Sequence, residues 1–242
     1  SMGCRLMLTQ EPIQMALPVT LPDDETFASY FGGEDSLEVN HLKDSFSKLV
    51  HSFQYTYLCG LGDSGKSHLL YATCIQAQER GLSNMLLSMR EVIHFGPMVL
   101  DGLEALDVLC IDDVHLVAGN DAWEKALFNF FNRFNEPNKM LVVTADLLPN
   151  MLNISLPDLE SRLKWGTTFQ IRSMSDDDKA QALVKRANMR GLELSDECAR
   201  FLLTRLSRDM RALLDVLDKL DHASMAAQRK LTIPFIKSTL KL

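Results

Sequence analysis

Residues 59–68 read CGLGDSGKSH, and they follow directly on the apolar run FQYTYLCG of residues 53–60. Gly60, Gly65, Lys66 and Ser67 meet the spacing G-x-x-x-x-G-K-[ST] at every fixed position. The chemistry of phosphate binding asks for these residue types. Glycines let the backbone turn so that successive N–H groups point inward, and a helix beginning at Lys66 adds its positive end. On this reading Gly60, Gly62, Asp63, Ser64, Gly65 and His68 border bound phosphates. Lys66 reaches the β- and γ-phosphates, and Ser67 offers its hydroxyl to magnesium. A plain glycine-rich turn would share the composition. The strand pattern before it and the helical pattern after it favour the phosphate loop.

The same alternation extends outward. Strand-like runs at 53–60, 84–89, 107–113, 139–146 and 167–172 are interleaved with helical patterns at 36–50, 66–80 and 121–136. Residues 91–100 read as irregular or helical around Gly96 and Pro97. Runs such as DVLCIDD and KMLVVTAD are apolar on both faces, as strands in a covered parallel sheet are. This predicts an α/β base over 21–172, a parallel sheet with helices on both sides. After Arg172 the strand signals nearly stop. SDDDKAQALVKRANMRG (175–191) opens with a serine cap and acids and closes on Arg-Gly, a helix written to suit its dipole. Further helical patterns at 195–206 and 209–228, and a Pro-led one at the end, predict a small all-helical lid over 173–242. Residues 1–20, with two prolines and little periodicity, read as a flexible tail.

Bulk properties exclude several classes. The chain has 242 residues, 46% of them hydrophobic, and a net charge of −7. That balance argues against DNA binding through a broad basic surface. Its five cysteines show no C-x-x-C pair, so they read as reduced thiols of a cytoplasmic protein. The histidines make no H-E-x-x-H pattern, so no zinc is expected. No apolar run approaches the length of a membrane span.

A phosphate loop needs an acid on a neighbouring strand. VLCIDD supplies Asp112, to hold Mg2+ through water, and Asp113, to orient or activate an attacking water. VVTAD ends the next strand with Thr144 and Asp146 near the same crevice. Two arginines stand out downstream: Arg162 in PDLESRLKWG and Arg211 in RDMRALLDVL.

Taken in order, these motifs resemble the AAA+ ATPases, most closely the bacterial replication initiator DnaA, over about residues 21–242. The resemblance implies that ETFASYF (25–31) borders the base and ribose. It makes Asp146 the sensor-1 residue, and Arg162 an arginine finger presented to a neighbouring subunit's nucleotide. Arg211 becomes the sensor-2 arginine on the phosphates of the bound nucleotide. Many ATPases of this class carry Glu where Asp113 stands, and the shorter arm predicts weak intrinsic hydrolysis.

The departures matter as much. On this reading the chain lacks the helix-turn-helix domain and the long N-terminal module of DnaA. Its tail instead holds QMALP, Gln14 to Pro18, which resembles the short peptides that dock on the β sliding clamp of DNA polymerase III. Gln14 would meet a polar rim, with Met15 and Leu17 in an apolar pocket and Pro18 closing the string. The combination is similar to the Hda group of DnaA-like regulators. That similarity implies a bound adenine nucleotide, ADP rather than ATP in the working form, with Mg2+ as a candidate companion. The implied partners are DnaA and the sliding clamp, with DNA reached mainly through the clamp, no membrane, and self-association to be tested. The implied action is to stimulate hydrolysis of ATP held by DnaA, preventing re-initiation. The alternative is a self-sufficient ATPase acting as a helicase loader or DNA-remodelling factor.

Overall fold

A computed structural model describes residues 24–206 and 209–242. The Ser36 hydroxyl accepts the Val39 N–H and starts α1 (Leu37–Lys48), whose Val39, Leu42 and Phe46 face inward. The chain enters β1 (Gln54–Cys59) and turns through Gly62 and Gly65, both at positive φ (59° and 86°). It then runs into α2 (Lys66–Glu79) and β2 (Asn84–Ser88). The stretch that the sequence leaves between irregular and helical is a single turn, α3 (Met89–Val92), followed by short 3-10 turns. β3 (Val108–Asp112), α4 (Asp121–Phe134), β4 (Met140–Ala145), α5 (Pro157–Leu163) and β5 (Thr167–Gln170) complete the base.

Among the described residues all strand pairings are parallel, in the order β2-β3-β4-β1-β5. β4 is therefore inserted between the strand carrying the glycine loop and the strand carrying the acids. The register places Leu58 beside Thr144 and Ile111 beside Val143, which brings the carboxyl ends of β1, β4 and β3 level. Every residue of β4 is buried, consistent with a strand covered on both faces. One face of the sheet packs against Trp123, Leu127, Phe130, Phe131 and Phe134 of α4. The opposite face packs against α1, α2, Phe27 and Tyr30.

Beyond the sheet, α6 (Asp176–Met189), α7 (Asp196–Arg205), α8 (Met210–Ala227) and α9 (Ile233–Leu240) gather around their own core of Leu183, Leu202, Leu217, Leu220 and Ile236. α6 opens on a capping box between Ser175 and Asp178, with three acids in its first turn. Cys59, Cys74, Cys110 and Cys198 are buried free thiols. No described helix is long and apolar enough to cross a membrane.

Candidate nucleotide site

The glycine loop leaves the end of β1 in tight quarters. A Cβ on Gly60 would stand 2.3 Å from the Ile171 carbonyl oxygen, and one on Gly65 would stand 2.9 Å from the Tyr30 ring. Only glycine lets the backbone pass there with its N–H groups turned inward. Lys66 is buried beneath the loop. Its ammonium donates to the carbonyls of Gly60 and Gly62 and to Ser64 Oγ. Burial pushes the Lys66 pKa down, against the pull of Asp113, Asp112, Asp146 and Asp63. Yet no carboxylate forms an ion pair with it among the described residues. A buried cation that meets only neutral acceptors is matched to an incoming anion, so the cradle fits a nucleotide phosphate.

Ser67 Oγ donates to Asp112 Oδ2 at 2.7 Å, and Thr144 Oγ1 donates to Asp112 Oδ1. The Asp113 N–H donates to Thr144 Oγ1 at 2.9 Å. Thr144 joins the loop to the acids because β4 lies between them. A hydroxyl and a carboxylate in contact suit a magnesium that takes its remaining ligands from phosphate and water. No group of three or more His, Cys, Asp or Glu among the described residues could hold a metal without such help.

The two other predicted acids lie apart from that contact. Asp113 adopts a left-handed backbone (φ 58°), and its carboxylate takes a hydrogen bond from Arg90 Nε at 2.7 Å. Asp146 sits beside His115: its N–H donates to His115 Nδ1, and its carboxylate lies 3.7 Å from the same nitrogen. The structure thus sets Thr144, rather than Asp146, against Asp112.

Residues 24–31 lie along α2 as a second wall. Tyr30 packs on Gly65 and on the ring of His68, and its hydroxyl donates to Glu38. His68 Nε2 contacts the Thr26 carbonyl at 2.6 Å, while Nδ1 faces Arg186 Nη1 at 3.3 Å. A carbonyl only accepts and a guanidinium only donates, so the imidazole is neutral with its proton on Nε2. Burial lowers the His68 pKa to about 4. Arg186, itself buried, also pairs with Asp24 at 2.9 Å, and its Nε has no hydrogen-bond partner among the described residues. Asp24 is pushed up by burial, but Arg186 and Arg190 hold it below the usual carboxylate range. Burial pushes Glu25 up, against Arg211 and Arg186.

The lid reaches this wall with several cations. Arg211 lies over the Tyr71 ring at 4.6 Å and donates to Glu25 at 3.4 Å. Lys179 pairs with Asp63 at the loop tip at 3.1 Å. Sequence reasoning named Arg211 but missed Lys179, Arg186, Arg190 and Arg90. A signal existed for three of them: Lys179, Ala182, Arg186 and Arg190 fall on one helical stripe, and a cation on a half-buried stripe needs a partner.

Arg162, in the last turn of α5, contacts none of these groups. Its Nε donates to Asn132 of α4, and its guanidinium lies over the rings of Phe128 and Trp165. Gln14, Met15, Leu17 and Pro18 lie outside the described residues.

A glycine loop after the first strand, an acid two strands across, a polar strand end between them and a helical lid over the crevice define a P-loop ATPase fold of the AAA+ class. Solved structures agree with that architecture. Domain III of the Thermotoga maritima replication initiation protein DnaA is 20% identical, with a TM-score of 0.65; the match covers 91% of this chain and 97% of that one. AMPPCP-bound DnaA from Aquifex aeolicus is 22% identical with a TM-score of 0.62, over 82% of this chain and 66% of that one, just under two thirds of its length. The RuvB Holliday junction branch migration motor of Thermotoga maritima scores 0.54 at 17% identity, over 85% of this chain and 71% of that one. Residues 176–240 match the family model for the lid domain of Hda, and residues 99–170 match that for the bacterial DnaA ATPase domain. With its lid matching that of Hda and part of its base matching the DnaA ATPase domain, the chain is a Hda/DnaA-like AAA+ protein.

Proposed function

We propose that this chain is a nucleotide-bound cytoplasmic regulator that docks on the DNA polymerase sliding clamp through Gln14, Met15, Leu17 and Pro18. There it presents Arg162 to ATP held by DnaA, stimulates its hydrolysis and so prevents re-initiation. One observation carries this reading. Arg162 has no carboxylate partner among the described residues and touches only Asn132 and aromatic faces. A guanidinium so placed keeps its charge available for an anion supplied by another molecule. Arginine fingers of this kind accelerate phosphoryl transfer by about 10³–10⁵ through charge stabilisation.

On this view the chain's own phosphate loop mainly clasps. Gly60, Gly62, Asp63, Ser64, Gly65, Lys66, Ser67 and His68 hold an adenine nucleotide, ADP in the working form. Ser67 and Asp112 would hold its magnesium, which neutralises phosphate charge when bound. Arg211 reaches in from the lid. Asp113, engaged by Arg90, is held away from activating water, which supports slow turnover.

The test measures hydrolysis of DnaA-bound ATP in the presence of DNA-loaded clamp. Arg162→Ala should bind clamp and DnaA but fail to stimulate; normal stimulation would remove the finger. Gln14→Ala with Leu17→Ala should lose clamp binding and keep nucleotide binding. A second reading, a self-sufficient motor or loader, is supported by the joined Ser67–Asp112–Thr144 set. Vigorous turnover by the chain alone, raised further by single-stranded DNA, would favour it.

A further inference from the structure

We infer that Trp165 is a positioning residue for Arg162: its indole face is the platform that holds the guanidinium extended while leaving it free to meet an anion. This deepens the finger reading and rests on it. The Arg162 Cζ lies 3.8 Å from the Trp165 ring centre, against 5.3 Å for Phe128. At that separation the cation rests directly on the indole, the strongest of the aromatic partners for a cation.

The choice of partner has a chemical consequence. Six other arginines, at 90, 172, 186, 190, 200 and 211, pair with carboxylates, and Arg80, Arg133, Arg205 and Arg229 lie over aromatic rings at 4.9 to 5.9 Å, none as close as Arg162 over Trp165. A carboxylate competes with phosphate for the same N–H groups and cancels the charge. An aromatic face does neither, because it attracts the cation through its flat side and leaves the N–H edge open. Among the described residues Arg162 spends only Nε on a hydrogen bond, at Asn132. Both terminal nitrogens remain available in the fork geometry that phosphate oxygens fit.

The platform is stiffly mounted. The Trp165 backbone N–H donates to the Arg162 carbonyl at 3.1 Å, so finger and indole belong to one turn. That turn is tied to the base of the sheet on both sides of Trp165. The Tyr55 hydroxyl, buried in β1, donates to the Leu163 carbonyl at 2.8 Å. Immediately after Trp165, Gly166 runs so close to β1 that a Cβ would stand 1.9 Å from the Tyr55 carbonyl. Trp165 itself stays 43% exposed, which core packing does not explain. A large exposed ring held over a cation that has no acid partner among the described residues is arranged for that cation. Without it the arginine's rotamers are free, and ordering them would fall to the transition state.

The experiment compares wild type, Trp165→Ala, Trp165→Phe and Arg162→Ala for clamp-dependent hydrolysis of DnaA-bound ATP, titrating this chain. Trp165→Ala should lower the maximal stimulation about tenfold with an unchanged half-saturating concentration, and Trp165→Phe should restore most of it. Wild-type stimulation by Trp165→Ala, with Arg162→Ala inactive, overturns the platform and leaves the finger standing. A shift in half-saturation alone also overturns it, since that marks a partner contact rather than positioning. Normal stimulation by Arg162→Ala overturns the finger and the platform together. A second measurement needs no partner. The other tryptophan, Trp123, is buried, so acrylamide quenching reports Trp165. Quenching should rise in Arg162→Ala, and identical quenching overturns the contact.

Discussion

Asp113 shows how one neighbour can set the task of a residue. The sequence offers it as the acid that orients water, and it stands next to Asp112 as that role requires. The fold gives it a left-handed backbone and a guanidinium from Arg90 at 2.7 Å. Arg90 is two-thirds exposed, so the pair contributes little to stability, less than about 1 kcal/mol. Its effect is on chemistry: the Asp113 oxygen that already accepts from Arg90 is engaged and less open to accept from a water. Arg90→Ala should therefore raise the chain's own ATP turnover several-fold while leaving its melting temperature almost unchanged. Release of phosphate by purified protein in single-turnover and steady-state assays checks this, and an unchanged rate would mean that the shorter aspartate arm alone limits hydrolysis. Lys66 is the contrasting residue. Its partners are neutral, and Lys66→Ala should abolish nucleotide binding by isothermal titration.

At the scale of elements, what the sequence disclosed and what it withheld divide along a physical line. The strands, α2 behind its glycine loop and the four lid helices could be read locally, because caps, apolar runs and glycines act within a few residues. Ser175, Asp178 and Gly191 mark α6 without reference to anything else in the chain. The pairing of α6 with residues 24–30 could not be read so. Arg190 meets Asp24 across 166 positions, and no local rule encodes a partner that far away. The helical stripe of Lys179 and Arg186 implied only that partners exist. Thr144 could be placed at a strand end, but its contact with Asp112 follows from the insertion of β4 between β1 and β3, a matter of strand order. The junction that was illegible is also where pH should act. His68 titrates near 4 in the folded chain and near 6.5 as a free side chain. Between those values the unfolded chain takes up a proton that the folded chain refuses. Stability is therefore complete above about pH 6.5 and falls as pH drops towards 4, by at most about 1.4 kcal/mol per unit from this group. Glu25, raised by burial, works in the opposite sense at the acid end, since its folded form accepts a proton first. Urea midpoints at pH 7.5, 6 and 5 should decline less steeply for His68→Gln than for wild type. Parallel declines would remove His68 from the acid response.

Across the whole molecule, the lid is fastened to the base around the phosphate loop rather than across a broad apolar seam. Lys179 holds the loop tip at Asp63, Arg186 reaches His68 and Asp24, and Arg211 lies over Tyr71 against Glu25. The base and lid cores are separate clusters, so these polar contacts carry much of the connection. They differ in what they depend on. Arg186 is buried, and replacing it would leave Asp24 to Arg190 and take the donor from His68 Nδ1; Arg186→Met should cost about 2 kcal/mol with or without nucleotide. The Arg211 side chain is 45% exposed, and its hydrogen bond to Glu25 is long at 3.4 Å. Its removal should barely alter the ligand-free protein. If Arg211 also contacts bound phosphate, Arg211→Ala weakens ADP binding, and each tenfold loss of affinity removes about 1.4 kcal/mol of the stabilisation that saturating ADP confers. Thermal unfolding at a series of ADP concentrations separates the two arginines. Arg186→Met should shift the whole series downward in parallel, whereas Arg211→Ala should begin at the wild-type temperature and rise less. An ADP-induced rise equal to wild type in Arg211→Ala would mean that the lid closes over the nucleotide without that arginine, leaving Arg211 as a bond between lid and base alone.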